Sequence, residues 1–99
     1  MHVLLTYGVN GTPDQIATIN TKVGEALKPY AHYRALGNTY IVRANSAVEW
    51  SAILQKIQLI AQQSTIPMNF LMTPLVAAGN QYNGWMPKES WDAINKLTQ

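Results

Sequence analysis

Apolar residues follow two spacings along the chain, one typical of strands and the other typical of helices. The segment 2–9 is a short apolar run, which predicts a buried strand. Residues 13–28 carry apolar side chains every three or four positions, which predicts an amphipathic helix. Thr12 and Gln15 have the spacing of a capping box, and Pro13 suits the first helical position, so this helix is predicted to begin there.

Two β-prone runs flank the dipeptide Gly37-Asn38, a pattern that predicts a hairpin with a two-residue loop. The predicted cross-strand partners are Leu36 with Thr39, Arg34 with Ile41, and His32 with Arg43. On this register those six side chains share one face of the sheet. The other face carries Tyr33, Ala35, Tyr40 and Val42. Because side chains alternate along a strand, a slip of one residue would exchange the two faces.

The second half of the chain predicts a helix, a strand and a terminal helix. Ser46 and Glu49 have the spacing of a second capping box, and the apolar stripe after them predicts a helix over 47–62. The alternating segment 68–76 predicts a strand, and Pro74 places its far end at a sheet edge or a stop. A polar loop is predicted over 78–84 and a short helix over 87–97.

The predicted order is strand, helix, strand, strand, helix, strand, followed by a helical tail. This order fits an α+β, ferredoxin-like βαββαβ sandwich, with a four-stranded antiparallel sheet and two helices on one face. The 99 residues predict a single domain over 1–99, with 82–99 as a C-terminal tail or arm. We expect the opposite sheet face to be open, and a partner subunit or the tail of a second copy to cover it.

Composition narrows the class of protein. The chain is 47% hydrophobic and 12% charged, so it is predicted to fold. It has no cysteine, which excludes disulfides, thiolate metal sites and cysteine nucleophiles. No apolar run is long enough to span a membrane, and no secretion signal is evident, so we expect a cytoplasmic protein without membrane contact. The net charge of +2 permits a nucleic-acid partner without requiring one.

The candidate chemistry is basic rather than acidic. The predicted register brings His32, Arg34 and Arg43 to one face, where they form a candidate patch for a phosphate, a carboxylate or nucleic acid. The alternatives are three solvated polar side chains, or His32 as a general base. We interpret the acidic residues as helix-capping residues or as solvent-exposed residues of helices. We therefore predict no catalytic carboxylate pair, no metal site and no cofactor. Those acidic residues are Asp14, Glu25, Glu49, Glu89 and Asp92.

Trp85 is a separate candidate, because it stands between Gly84 and Met86-Pro87 outside any predicted element. One interpretation is an anchor that attaches the tail to the sheet or to a partner subunit. The other is a stacking platform for a base or another flat ligand.

Several short motifs give the chain a resemblance to a known family. They are Tyr7 at the end of the first strand, Tyr40-Ile41-Val42, Asn69-Phe70-Leu71, Gly84-Trp85 and Trp91. In these the chain resembles the small CRISPR-adaptation nuclease subunit and its uncharacterised stand-alone relatives. The resemblance implies ferredoxin-like subunits that form a homodimer, and for several members a metal-dependent nuclease activity.

The chain departs from the family pattern at Gly8. The family has a metal-binding aspartate directly after the tyrosine that ends the first strand, and here glycine follows Tyr7. Mg²⁺ sites of this kind depend on one or two carboxylates. We therefore expect a non-catalytic homodimeric binding protein with an anionic partner, nucleic acid favoured. The alternatives are a metal-dependent nuclease or phosphodiesterase, and a module for protein–protein interaction or regulation.

Overall fold

The structure, a computed structural model, describes residues 1–75 and 84–98. Its elements are β1 (His2–Val9), α1 (Pro13–Leu27), β2 (His32–Leu36), β3 (Thr39–Arg43), α2 (Ala47–Gln63), β4 (Met68–Leu75) and α3 (Lys88–Leu97). Every predicted strand and helix is present, and the ends of β1 and of the three helices lie within one residue of those predicted. The predicted strand end at Val76 and the predicted loop before Gly84 lie outside the described residues. None of the described helices is both long and apolar enough to cross a membrane.

The four strands form one sheet in the order β2-β3-β1-β4, and all neighbouring pairs are antiparallel. With α1 and α2 as the two crossovers, this is the predicted ferredoxin-like α+β arrangement. The order places β1 in the centre and leaves β2 and β4 as the two edges. Pro74, in the edge strand β4, pairs with Val3 of β1, and an edge is where a residue without an N–H is tolerated.

The main core lies between α1, α2 and one face of the sheet. Alternate residues of β1 point into it, and Val3, Leu5 and Tyr7 are at most 3% exposed. The helices contribute residues at i, i+4 spacing, namely Ile19, Val23 and Leu27 from α1, and Ile53 and Ile57 from α2. Each fully buried aliphatic side chain contributes about 2 kcal/mol relative to an exposed one. This packing holds α1 against the end of β1, where the cleft described below is formed.

The two predicted capping boxes have different outcomes in the structure. At α1 the capping box is complete, because Thr12 Oγ1 accepts from the Gln15 N–H and Gln15 Oε1 accepts from the Thr12 N–H. At α2 Ser46 Oγ accepts from the Glu49 N–H, but Glu49 Oε1 accepts from Asn45. The second capping box is therefore only half formed, because the Asn45 amide competes for the carboxylate.

The outer face of the sheet is partly covered by α3, which differs from the expected open face. Ile94 of α3 is 1% exposed, and Tyr33 Oη donates to Ser90 Oγ at 2.9 Å. The C-terminal carbonyl of Leu97 accepts from the Arg43 guanidinium and lies 3.3 Å from His2 Nε2. The guanidinium charge of Arg43 suits a helix C-terminus. The tail helix of this chain therefore packs on its own β2–β3 side.

Candidate anion-binding site

The basic side chains predicted to form one patch divide between the two faces of the sheet. His32 pairs with Val42 and Arg34 pairs with Tyr40, so both side chains lie on the face that α1 and α2 cover. Arg43 follows Val42 in β3 and therefore lies on the outer face, where it meets α3. The prediction that all three share one face is wrong.

A register shift in the hairpin is the physical reason. The predicted pairing of Leu36 with Thr39 is confirmed, whereas the two pairs beyond it are each displaced by one residue. The shift lies between Arg34 and Leu36, at Ala35. One extra residue in a strand moves every residue beyond it to the opposite face. The wrong pairs are Arg34 with Ile41 and His32 with Arg43.

A cleft of about 410 Å³ lies where the end of β1 meets α1 and the β2–β3 turn. We call it the Arg34 cleft. Its lining residues are Tyr7, Gly8, Val9, Ile16, Asn20, Arg34, Gly37 and Asn38. The size is within the usual range for small-molecule sites. The lining combines one guanidinium, two amides and a phenol with an apolar wall, and no carboxylate is among the described residues that line it.

The Arg34 guanidinium is held in this cleft without a compensating negative charge. Its Nε and Nη2 atoms both donate to the Gly37 carbonyl oxygen, at 3.0 and 2.5 Å. Its Cζ atom lies 5.9 Å from the centre of the Tyr40 ring, within range for a cation–π contact. No carboxylate of the described residues forms an ion pair with Arg34. The remaining N–H donors are therefore free to bind an anion.

Asn38 holds the β2–β3 turn against the end of β1. Its Nδ2 atom donates to the Tyr7 carbonyl oxygen at 2.8 Å, and the Tyr7 N–H donates to the Asn38 carbonyl oxygen at 3.1 Å. These two hydrogen bonds extend the contact between β1 and β3 by one residue pair beyond Thr6 and Thr39. The turn that carries Gly37, and with it the Arg34 side chain, is therefore positioned by one side-chain and one main-chain hydrogen bond to Tyr7.

The phenol of Tyr7 is the buried polar group of the cleft. Tyr7 is 3% exposed, and its Oη donates to Asn20 Oδ1 at 2.7 Å. Burial raises the pKa of Tyr7 above its usual value of 10.0, and the neighbouring Tyr40 raises it further. The Arg34 charge acts in the opposite direction and lowers the pKa. At neutral pH the cleft therefore contains a neutral phenol beside a cation.

We expect the stabilising effect of Tyr7 to decline at high pH. A folded-state pKa above 10.0 means that the unfolded chain loses this proton first, so the free energy of unfolding falls as pH rises past 10. Near pH 8, Tyr7→Phe should cost about 1 kcal/mol through loss of the bond to Asn20. Urea unfolding of both proteins at increasing pH should show this difference shrinking above pH 10. A difference that stays constant or grows would contradict the assignment.

Gly8 lies on the rim shared by this cleft and a shallower depression on the β4 side. A Cβ atom at Gly8 would meet nothing within 4 Å, so the backbone here is open to a ligand. This is the position at which the family resemblance places an aspartate. Among the residues that the structure describes, no group of three or more histidines or acidic residues is placed to hold a metal ion.

A second cleft, of about 340 Å³, lies between α3 and the β2–β3 hairpin. We call it the α3 cleft. It is lined by His32, Tyr33, Arg43, Ala93, Lys96 and Leu97. Two residues of the predicted patch, His32 and Arg43, therefore line the same cleft. Lys96 is a further basic residue in its lining. Sequence reasoning missed Lys96 because only the packing of α3 on the sheet brings it beside the hairpin.

Trp85 does not attach the tail to the sheet of its own chain, because its side chain is 99% exposed. The anchoring role belongs to Ile94, with Trp91 half-buried on the same helix. The interpretations of Trp85 as a stacking platform or as a contact with a partner subunit stay predictions.

The fold and the two clefts define the class of protein as a ferredoxin-like α+β domain with basic side chains on both sides of one sheet edge. Comparisons with protein-family models, curated proteins and solved structures gave no match for this chain. A functional assignment therefore depends on the residues and contacts of the chain itself.

Proposed function

We propose that the protein is a non-catalytic, homodimeric binding protein that holds an anionic partner, with nucleic acid favoured, at the Arg34 cleft. The observation that carries the proposal is the Arg34 guanidinium, which lines a cleft without a carboxylate and has unused donors. A planar guanidinium suits phosphate oxygens, and charge-assisted hydrogen bonds of this kind are among the stronger ones.

The lining of the Arg34 cleft favours binding over catalysis. General acid–base work needs a group that gains or loses a proton near the working pH. Among the described residues that line the cleft, the titratable side chains are Arg34 and Tyr7, and the raised pKa of Tyr7 takes it away from neutral pH. The Tyr7 proton is also engaged by Asn20. These features support a ligand that is held rather than converted.

The outer face beside β4 supports the homodimer. α3 packs on the β2–β3 side, while Leu71 of β4 is 61% exposed and shares the outer face with Leu4 and Leu75. The outer face carries residues of β1 from Leu4 onward and residues of β4 up to Leu75. None of these outward-facing side chains is charged. An uncharged surface with exposed leucines can meet its own copy without charge repulsion across a two-fold axis.

Binding of labelled oligonucleotides across a salt series tests the proposal. We expect single-stranded DNA or RNA to bind at low salt, and the logarithm of the affinity to fall by about 0.7 for each phosphate contact per tenfold increase in salt. Mass measured in solution should be twice the chain mass of 11.0 kDa. Absence of binding at low salt would overturn the nucleic-acid partner. Cleavage with Mg²⁺ that is lost on substitution of an acidic residue would overturn the non-catalytic assignment.

A further inference from the structure

The Arg34 cleft continues past Gly8 into the depression on the β4 side, which we call the β4 depression. Its volume is about 380 Å³, and it shares Tyr7, Gly8 and Asn38 with the Arg34 cleft. Arg34 projects on the sheet face that α1 and α2 cover, whereas Gly8 and its β4 partner Asn69 lie on the outer face. The two spaces therefore meet over the end of the sheet, with the Gly8 backbone between them.

Gly8 leaves this passage open because it has no side chain. A Cβ atom there would meet no heavy atom of the described residues within 4 Å. The φ angle of Gly8 lies outside the left-handed region, so the backbone would accept a residue with a side chain. A glycine within a strand weakens that strand, and it often marks a place where a ligand or another backbone comes close. The fold does not require glycine at this position, and the space it leaves is available to a ligand.

Asn69 offers a hydrogen-bond donor and an acceptor on the other side of Gly8. It pairs with Gly8 and is exposed, and no hydrogen bond joins its side-chain amide to the rest of the described chain. A side-chain amide of this kind can make a bidentate contact with the edge of a base, as asparagine does with adenine. Phe70 and Leu71 also line the β4 depression and give it apolar surface. This lining suits the polar edge and the flat apolar faces of a base.

We propose that the Arg34 cleft and the β4 depression together hold one nucleoside 5′-phosphate unit, with the phosphate at Arg34, the sugar over Gly8 and the base edge at Asn69. The inference rests on the proposed function and assigns a part of the nucleotide to each side of Gly8. The guanidinium suits the charged phosphate. The described residues of the β4 depression carry hydroxyl, amide and apolar side chains, which suit a neutral base. The unit is either a free nucleotide or one nucleotide of a strand.

Titrations followed by backbone amide shifts test the inference with three probes. They are inorganic phosphate, deoxyadenosine 5′-monophosphate and a twelve-nucleotide deoxyadenosine strand. We expect the wild type to bind the mononucleotide about fivefold or more tightly than inorganic phosphate, because the base adds a contact. Gly8→Val places a side chain in the path of the sugar. It should lower the mononucleotide affinity to that of phosphate, change the phosphate affinity by less than about twofold, and weaken the strand.

Asn69→Leu tests the base contact separately, because leucine is similar in size and lacks the amide. We expect the mononucleotide affinity to fall by about fivefold or more and the phosphate affinity to stay unchanged. Thr73→Val is the control, since it places a valine on the same outer face at the residue that pairs with Leu4. It should leave every affinity within about twofold of the wild type. Valine suits a strand, so Gly8→Val should unfold in urea at a midpoint no lower than that of the wild type.

The strand distinguishes failure of this inference from failure of the proposed function. Strand binding that falls in Arg34→Gln but is unchanged in Gly8→Val and Asn69→Leu would overturn the nucleotide arrangement and leave the Arg34 cleft as the anion site. Equal wild-type affinities for phosphate and mononucleotide would also overturn it. Strand binding that is unchanged in Arg34→Gln, or no binding of any probe, would overturn both. Parallel losses for mononucleotide and strand would support the arrangement, and the tighter of the two probes would identify the source of the nucleotide.

Discussion

Replacing Ile57 with Asp should unfold the protein at room temperature. Ile57 is fully buried in α2, within the cluster that joins both helices to β1 and β3. An aspartate there loses the apolar contacts of the isoleucine and buries a carboxylate among residues that offer it no partner. The combined cost is about 4 kcal/mol or more, a large part of the 5–15 kcal/mol that stabilises a typical domain.

Gln58→Asp is the matched control for this experiment. Gln58 is the next residue of the same helix and is exposed, so the same aspartate there costs little beyond helix propensity. Circular dichroism and urea unfolding should show Ile57→Asp without a cooperative transition and Gln58→Asp close to the wild type. A native spectrum and a wild-type midpoint for Ile57→Asp would show that the assigned core is wrong.

Replacing Arg34 with Glu should abolish most of the nucleic-acid affinity and leave the fold intact. The substitution removes the one guanidinium of the Arg34 cleft and places a negative charge beside the position of the bound phosphate. Charge-assisted hydrogen bonds contribute about 1.5–3 kcal/mol, so we expect a loss of about tenfold to 100-fold in affinity at low salt. Arg34 is exposed, and its structural bonds go to a single carbonyl, so stability should change by about 1 kcal/mol or less.

Lys22→Glu provides the charge-matched control for Arg34→Glu. Both changes alter the net charge equally, but Lys22 lies on α1 outside the Arg34 cleft. An equal loss of affinity in the two variants would mean that net charge alone governs binding. Arg43→Glu is a less suitable probe than the sequence suggested. Arg43 supports the end of α3 through Leu97, so its substitution is expected to loosen that helix as well.

The order of strands and helices could be predicted from the sequence because each element has its own hydrophobic periodicity and its own start and stop residues. The capping box at Thr12 and Gln15 is local, and both of its hydrogen bonds are present. The edge position of Pro74 follows from its missing N–H, which excludes a central strand. Information of this kind lies within a few residues of the element that it describes.

The features that could not be predicted depend on tertiary contacts. The register shift at Ala35 has no signature in the dipeptide Gly37-Asn38, yet it decides which face receives Arg34. The docking of α3 depends on a complementary outer face of the sheet, which no local pattern describes. Asn20 carries no sequence signal either, because only the packing of α1 brings it to Tyr7 Oη.

Mapping of backbone amide shifts during titration with a single-stranded oligonucleotide tests the central claim most directly. We expect the largest shifts at low salt at the Arg34 cleft, in Gly8, Asn20, Arg34, Gly37 and Asn38. The same titration of Arg34→Glu should leave those amides unmoved. Shifts confined to the exposed face of α2, or shifts at the cleft that persist in Arg34→Glu, would contradict the assignment of this cleft as the anion-binding site.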